Sequence, residues 1–145
     1  MRARPRHPGP RVLRAAPILA VCALVLAACA DGGAGAGPDL AGKAFVSTEI
    51  RGVDPGPGAE VRLVFQEDRI SVNAGCNTLM AAATWDDGAL RVVGPMASTR
   101  MACPDDRARL DAWLEAFLLR EPRLVHDGGT LVLGDEDEGI AFDEQ

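Results

Sequence analysis

At 145 residues the chain has room for a single domain. Its 21 acidic and 15 basic side chains leave a formal charge of −6, but five of the bases lie before residue 15. Everything from residue 29 onward therefore carries ten bases against 21 acids, a balance of −11. A surface that acidic repels phosphate backbones and anionic lipid heads, so no nucleic-acid partner is expected, nor membrane attachment through a basic patch.

The N-terminus reads as a targeting segment. Arg2, Arg4, Arg6, Arg11 and Arg14 precede an apolar run from Ala15 to Ala28, broken only by Pro17. A basic stretch followed by a short apolar one has the form of a secretory signal. The run is shorter than the about 20 apolar residues that span a bilayer. It ends in Leu26-Ala27-Ala28-Cys29, which resembles the lipobox of bacterial lipoproteins. The resemblance implies that residues 1–28 are removed and that the Cys29 thiol accepts a diacylglycerol. Two or more acyl chains on one residue suffice for stable anchoring, where a single chain is marginal. Residues 29–38 then supply a tether, since Ala30 to Pro38 is made of Ala, Asp, Gly and Pro with nothing to bury.

The domain proper is expected over 39–145. Ala44 to Ile50 reads as a first strand, and Arg51 to Ala59, with three Gly and two Pro, as a loop. Glu60 to Gln66 and Arg69 to Ala74 alternate apolar and polar residues on either side of Glu67-Asp68, the pattern of an antiparallel hairpin with one buried face. Thr78 to Trp85 is assigned to the next strand, although its Ala81-Ala82-Ala83 centre also suits a helix. Asp86-Asp87-Gly88 is a turn signal, followed by a returning strand, Ala89 to Val93, and a separate extended segment, Met96 to Met101.

The spacing predicts one helix over about residues 105–121. Leu110, Trp113, Leu114, Phe117 and Leu118 fall at i, i+3, i+4, i+7 and i+8, one apolar stripe. Asp105 is placed to cap it after Pro104, and Pro122 to end it. Arg123 to His126, Thr130 to Leu133 and Ile140 to Phe142 complete the strands, with turns at Asp127-Gly128-Gly129 and Asp135 to Gly139. The fold class that follows is α+β, mainly β: a curved antiparallel sheet or small open barrel of seven to nine short strands packed against one helix.

Two loops stand out in this plan, Gly75-Cys76-Asn77 and Ser98-Thr99-Arg100-Met101-Ala102-Cys103-Pro104. Together with Leu131-Val132-Leu133 and Ile140-Ala141-Phe142 they resemble the META/HslJ domain family, over nearly the whole domain from about Leu40 to Phe142. Departures exist: Phe45 stands where the family usually has Trp, and Leu79, Met80 and Ala81 replace its aromatic residues and Gly after Asn77. These are apolar or small replacements that leave the fold intact. The resemblance implies a bacterial lipoprotein linked to envelope stress or drug resistance, or in some parasites to virulence. It carries no catalytic residues over to this chain.

For Cys76 and Cys103, an even pair outside the cytoplasm favours a disulfide. Closing a loop of about 28 residues stabilises a fold by roughly 3–4 kcal/mol in the chain-entropy model. The alternatives are two reduced buried cysteines or a redox-active or metal-binding pair, the last weakened by the lack of a C-x-x-C spacing. Asn77 and Arg100 are the candidate loop contacts. Next to Gly75, Asn77 suits a left-handed or Asx-turn position, and Arg100 is within reach of Asp105 or Asp106. His126 is the one histidine beyond the signal segment, and no spacing joins it to Ser47, Ser71 or Ser98 as a triad or to the cysteines as a zinc site. Asp135 to Glu138 reads as an acidic turn and lacks the full loop of a calcium site. No metal, cofactor or catalytic residue is expected.

The functional expectation is a non-enzymatic, lipid-anchored protein on the extracytoplasmic face of the cell membrane. It would act in envelope maintenance or stress response by binding another envelope protein. A carrier of small apolar ligands inside the sheet is the alternative, and a thiol-disulfide enzyme a third reading.

Overall fold

The computed structural model describes residues 37–145. The signal segment, Cys29 and most of the tether lie outside them. Among the described residues there are eight strands and one helix: β1 (Ala44–Arg51), β2 (Arg62–Phe65), β3 (Arg69–Asn73), β4 (Thr78–Thr84), β5 (Arg91–Ser98), α1 (Asp105–Leu118), β6 (Leu124–Asp127), β7 (Thr130–Gly134) and β8 (Gly139–Glu144). They form one antiparallel sheet in the order β5-β4-β3-β2-β1-β8-β7-β6. The architecture is the expected α+β, mainly β fold.

β1 is the joint of this sheet. It pairs with β2 on one side and β8 on the other, so the first and last strands of the domain lie together. The outermost strands of the order also approach each other. Leu90 N–H donates to the Pro122 carbonyl at 2.9 Å, Leu124 N–H donates to the Gly88 carbonyl at 2.8 Å, and Ala89 forms a bridge with Arg123. The sheet therefore curls into a half-barrel.

The period-two pattern decides which face is inside. Val61, Leu63 and Phe65, then Ile70, Val72 and Ala74, then Leu79, Ala81 and Ala83 are all buried. Ala81-Ala82-Ala83 is strand because the Leu79 and Ala83 positions must meet the same core as its neighbours; tertiary pairing with β3 outweighs the helix preference of Ala. From the other half come Leu131, Leu133, Ile140 and Phe142, and from the helix Leu110, Leu114, Phe117 and Leu118. Burying each of these large side chains contributes about 1.5–3 kcal/mol. Phe45 on β1 meets Phe65 edge-on with ring centres 5.8 Å apart, and Phe65 meets Trp85 at 5.0 Å. The inside of the half-barrel is filled.

Three expectations need correction. The segments Ala89–Val93 and Met96–Met101 are one strand, β5, which passes through Gly94 and Pro95 with a register shift opposite Met80 and Ala82. Proline is tolerated there because β5 is outermost in the sheet order and its free side needs no N–H. Asp105 does not cap α1: Pro104 holds the N-cap position with extended backbone and no side-chain cap, and Asp105 is the first helical residue. It still sets negative charge, with Asp106, in the first turn. The helix also ends at Leu118, before the expected 121. Glu121 takes φ 53°, because Pro122 bars it from helical backbone and the chain must turn into β6.

Candidate functional site: the disulfide-linked loops

Cys76 and Cys103 form a disulfide, with Cα atoms 6.0 Å apart across 27 residues of sequence. It joins the β3–β4 loop to the segment that launches α1. The loop is shaped by Asn73 at the end of β3. Its Oδ1 accepts from Gly75 N–H at 2.8 Å, and its Nδ2 donates to the Asn77 carbonyl and to Thr78 Oγ1. Gly75 takes φ 95°, and an added Cβ there would press on the Arg107 guanidinium at 3.3 Å. The left-handed position thus falls on Gly75 and the Asx turn on Asn73, not on Asn77 as expected.

Asn77 does something else: it is the junction of three segments. Its backbone N–H and its Nδ2 both donate to Asp111 Oδ2 on α1, at 3.0 and 2.9 Å. Nδ2 also donates to Cys103 Sγ at 3.1 Å. Its Oδ1 accepts from Thr99 Oγ1 at 3.1 Å and from Met101 N–H at 2.9 Å. Thr99 in turn pairs with Thr78, its Oγ1 accepting from Thr78 N–H and its N–H donating to the Thr78 carbonyl. One amide therefore uses both of its donors and its carbonyl to tie a hairpin loop, the linker after β5, and the helix.

Asp111 is the residue that the sequence reading missed. It is 93% buried, and its Oδ1 has no hydrogen-bond partner among the described residues. A signal was present: Asp111 lies three residues before Leu114 and seven before Leu118, the spacing of the buried helix face. An acid at that position needs a donor, and Asn77 is the donor.

Arg100 is exposed and pairs with neither Asp105 nor Asp106; no ion pair to it forms among the described residues. It lines an open cleft of about 650 Å³ with Asn77, Ser98, Thr99, Met101 and Glu115. Asp106 lies instead against the Gly56 loop, and Arg107 donates to the Pro57 carbonyl. His126 packs its ring edge-on against Phe45 and does not join the cysteines; the group around them is Cys76, Cys103 and Asp111. Ser47 and Ser98 bond to backbone, Ser47 accepting from Val61 N–H and Ser98 donating to the Thr99 carbonyl.

The acidic turn is committed to the fold. Asp135 Oδ1 accepts from the N–H groups of Asp137 and Glu138, which hold its carboxyl below the usual carboxylate range, with Arg51 adding to the effect. Glu138 Oε1 accepts from Trp113 Nε1 at 3.0 Å and pairs with Arg120.

The META domain family model matches residues 38–145. No curated protein matches. Two solved structures are similar. One, described as the NMR structure of a protein, is 23% identical, with a TM-score of 0.57 over 72% of this chain and 90% of that one. The other, the NMR structure of a protein from Burkholderia xenovorans, is 19% identical, with a TM-score of 0.55 over 97% of this chain and 98% of that one. At these identities what is shared is the fold.

Proposed function

This chain belongs to the META domain family, and from that premise we propose that it is a lipid-anchored, non-enzymatic binding module of the cell envelope. It serves envelope maintenance or the response to envelope stress by docking on another envelope protein. The observation that carries the compartment is the Cys76–Cys103 disulfide, because such bonds persist where thiols are not kept reduced. The lipobox-like Cys29 and the glycine-rich tether supply attachment through lipid, and the balance of −11 from residue 29 onward keeps the domain off anionic surfaces.

The filled half-barrel favours recognition on the outer surface over carriage of an apolar ligand. Phe45, Leu63, Phe65, Leu131 and Phe142 occupy the space that a carrier would reserve. The clefts found open on the outside of the sheet or at its loops, as the one beside Arg100 does. The reading as a non-enzyme rests on the dispersal of His126 and the serines into packing and backbone bonds.

Crosslinking of the full chain in intact cells, followed by identification of its neighbours, tests the docking. Intact-mass analysis of the mature protein without reductant tests the anchor. Expected are an acylated chain beginning at Cys29 and a recurrent envelope protein among the crosslinks. A soluble, unacylated chain in the cytoplasm would sink the proposal.

A further inference from the structure

We propose that Cys76, Cys103 and Asp111 are a latent metal site, closed while the disulfide stands and opened by thiol reduction. The occupant is a borderline-to-soft divalent cation, with Zn²⁺ the leading candidate. The sequence argued against a metal here because the two cysteines are far apart in the chain and no histidine lies near. The fold adds the third ligand.

The geometry is that of a three-ligand cluster. One atom from each residue, the two sulfurs and a carboxylate oxygen, lies within 4.8 Å of the others. Cys103 Sγ is 3.8 Å from Asp111 Oδ2. A tetrahedral zinc with Zn–S of about 2.3 Å spaces its ligand atoms by roughly 3–4 Å, so once the S–S bond is cut the sulfurs need only part by side-chain rotation. Thiolates with one carboxylate form a donor set that favours zinc and its softer relatives over Mg²⁺ or Ca²⁺.

The independent observation is Asp111 itself. It is a carboxylate 93% buried beside the sulfurs, with Oδ1 left without a partner. Burying a carboxylate with one oxygen unpaired is costly, and a cation bound by the carboxylate through Oδ2, the oxygen nearest Cys103 Sγ, and by two thiolates would offset its charge. Asn77 already holds the surroundings in place, since its Nδ2 donates to both Cys103 Sγ and Asp111 Oδ2. Donors of that kind orient metal ligands from the outer sphere. The open cleft lined by Asn77, Thr99, Arg100 and Met101 borders the same loops.

The chemistry balances with an external dithiol. The disulfide takes two electrons and two protons from it, the S–S bond breaks to two thiols, and the dithiol closes to its own disulfide. Binding of M²⁺ then releases both thiol protons and forms two metal–sulfur bonds and one metal–oxygen bond to Asp111.

The test is a titration of the full chain with Co²⁺, oxidised and after reduction, read by the thiolate-to-metal charge-transfer band and by displacement with Zn²⁺. Reduced protein is expected to bind one Co²⁺ with that band, and oxidised protein to show none. Loss of an outer-sphere partner alone costs a metal site about 10–100-fold in affinity, so the ligand change Asp111→Asn is expected to cost at least about tenfold. No band from the reduced chain, or wild-type affinity in Asp111→Asn, overturns the proposal. Should Asp111→Asn fail to fold, the Tm of the reduced wild-type chain decides. Zn²⁺ is expected to raise it by several degrees while leaving the oxidised chain unmoved, and an unchanged Tm overturns the assignment.

Discussion

The helix α1 is tied to the sheet by polar side chains at two places, and the two ties use similar groups in opposite surroundings. In the middle of the helix, Asp111, itself buried, accepts from the half-buried Asn77 beside the disulfide. On another face, Trp113, joined by Arg120 just past the helix, reaches Glu138 in the β7–β8 turn, where the Arg120 and Glu138 side chains remain 51% and 37% exposed. In the first, the Asp111 carboxylate is shielded from water, so a donor lost there is poorly replaced. In the second, water and salt compete for both charges. Counting hydrogen bonds would rank the two ties alike; solvent access separates them.

Removing the staple should have the largest effect. Replacing Cys76 and Cys103 together by Ala is expected to cost about 3–4 kcal/mol, given a loop of 27 residues in sequence separation. Urea unfolding of the variant against the oxidised wild type measures it, and a shift under 1 kcal/mol would mean that the polar junction alone holds the loops.

Next in size is Asn77→Ala. It removes the side-chain donor to the buried Asp111 carboxylate, which keeps the backbone N–H of residue 77, and the acceptor of the Met101 N–H, and the loss is expected at about 1.5–3 kcal/mol by the same unfolding measurement. At the exposed tie, Arg120→Ala should cost no more than about 1 kcal/mol, and the cost should shrink in high salt. A salt-independent loss at Arg120 would erase the contrast between the two ties.

The smallest effect is at Asp135, fully exposed, and it is recognised by its pH dependence. Backbone N–H donors depress its carboxyl, so the turn is supported while pH lies above the ordinary aspartate range and the support fades as pH falls through the lowered value. Asp135→Ala should therefore be less stable than wild type at neutral pH, with the gap closing in strong acid. Thermal unfolding across pH reads it, and a gap that widened on acidification would contradict the assigned hydrogen bonds.

Most of the fold is legible in the chain because it rests on periodicity. Val61-Leu63-Phe65 against Ile70-Val72 announces a hairpin with one wet face, and Leu110 to Leu118 announces a helix with one dry stripe. What stayed hidden depends on neighbours distant in sequence. Gly94-Pro95 reads locally as a break, and only the outermost place of β5 lets the strand run through it. Asn77 reads locally as a turn residue; its actual partners lie 22 to 34 residues away. Asp111 is hidden for the same reason, since an acid in a helix is ordinarily a solvated one. The paired cysteines and Asn77 marked the right place, and only the folded chain shows the partners of Asn77 and the part that Asp111 plays.

Asn77 and the buried Asp111 act as one coupled unit. A double-mutant cycle of Asn77→Ala and Asp111→Ala, by urea unfolding of the oxidised chain, tests it most directly. Each single variant removes the Asn77 Nδ2 to Asp111 Oδ2 hydrogen bond, so the double variant should lose less than the two losses added, with a coupling of about 1–2 kcal/mol. Losses that add to within about 0.5 kcal/mol would contradict it.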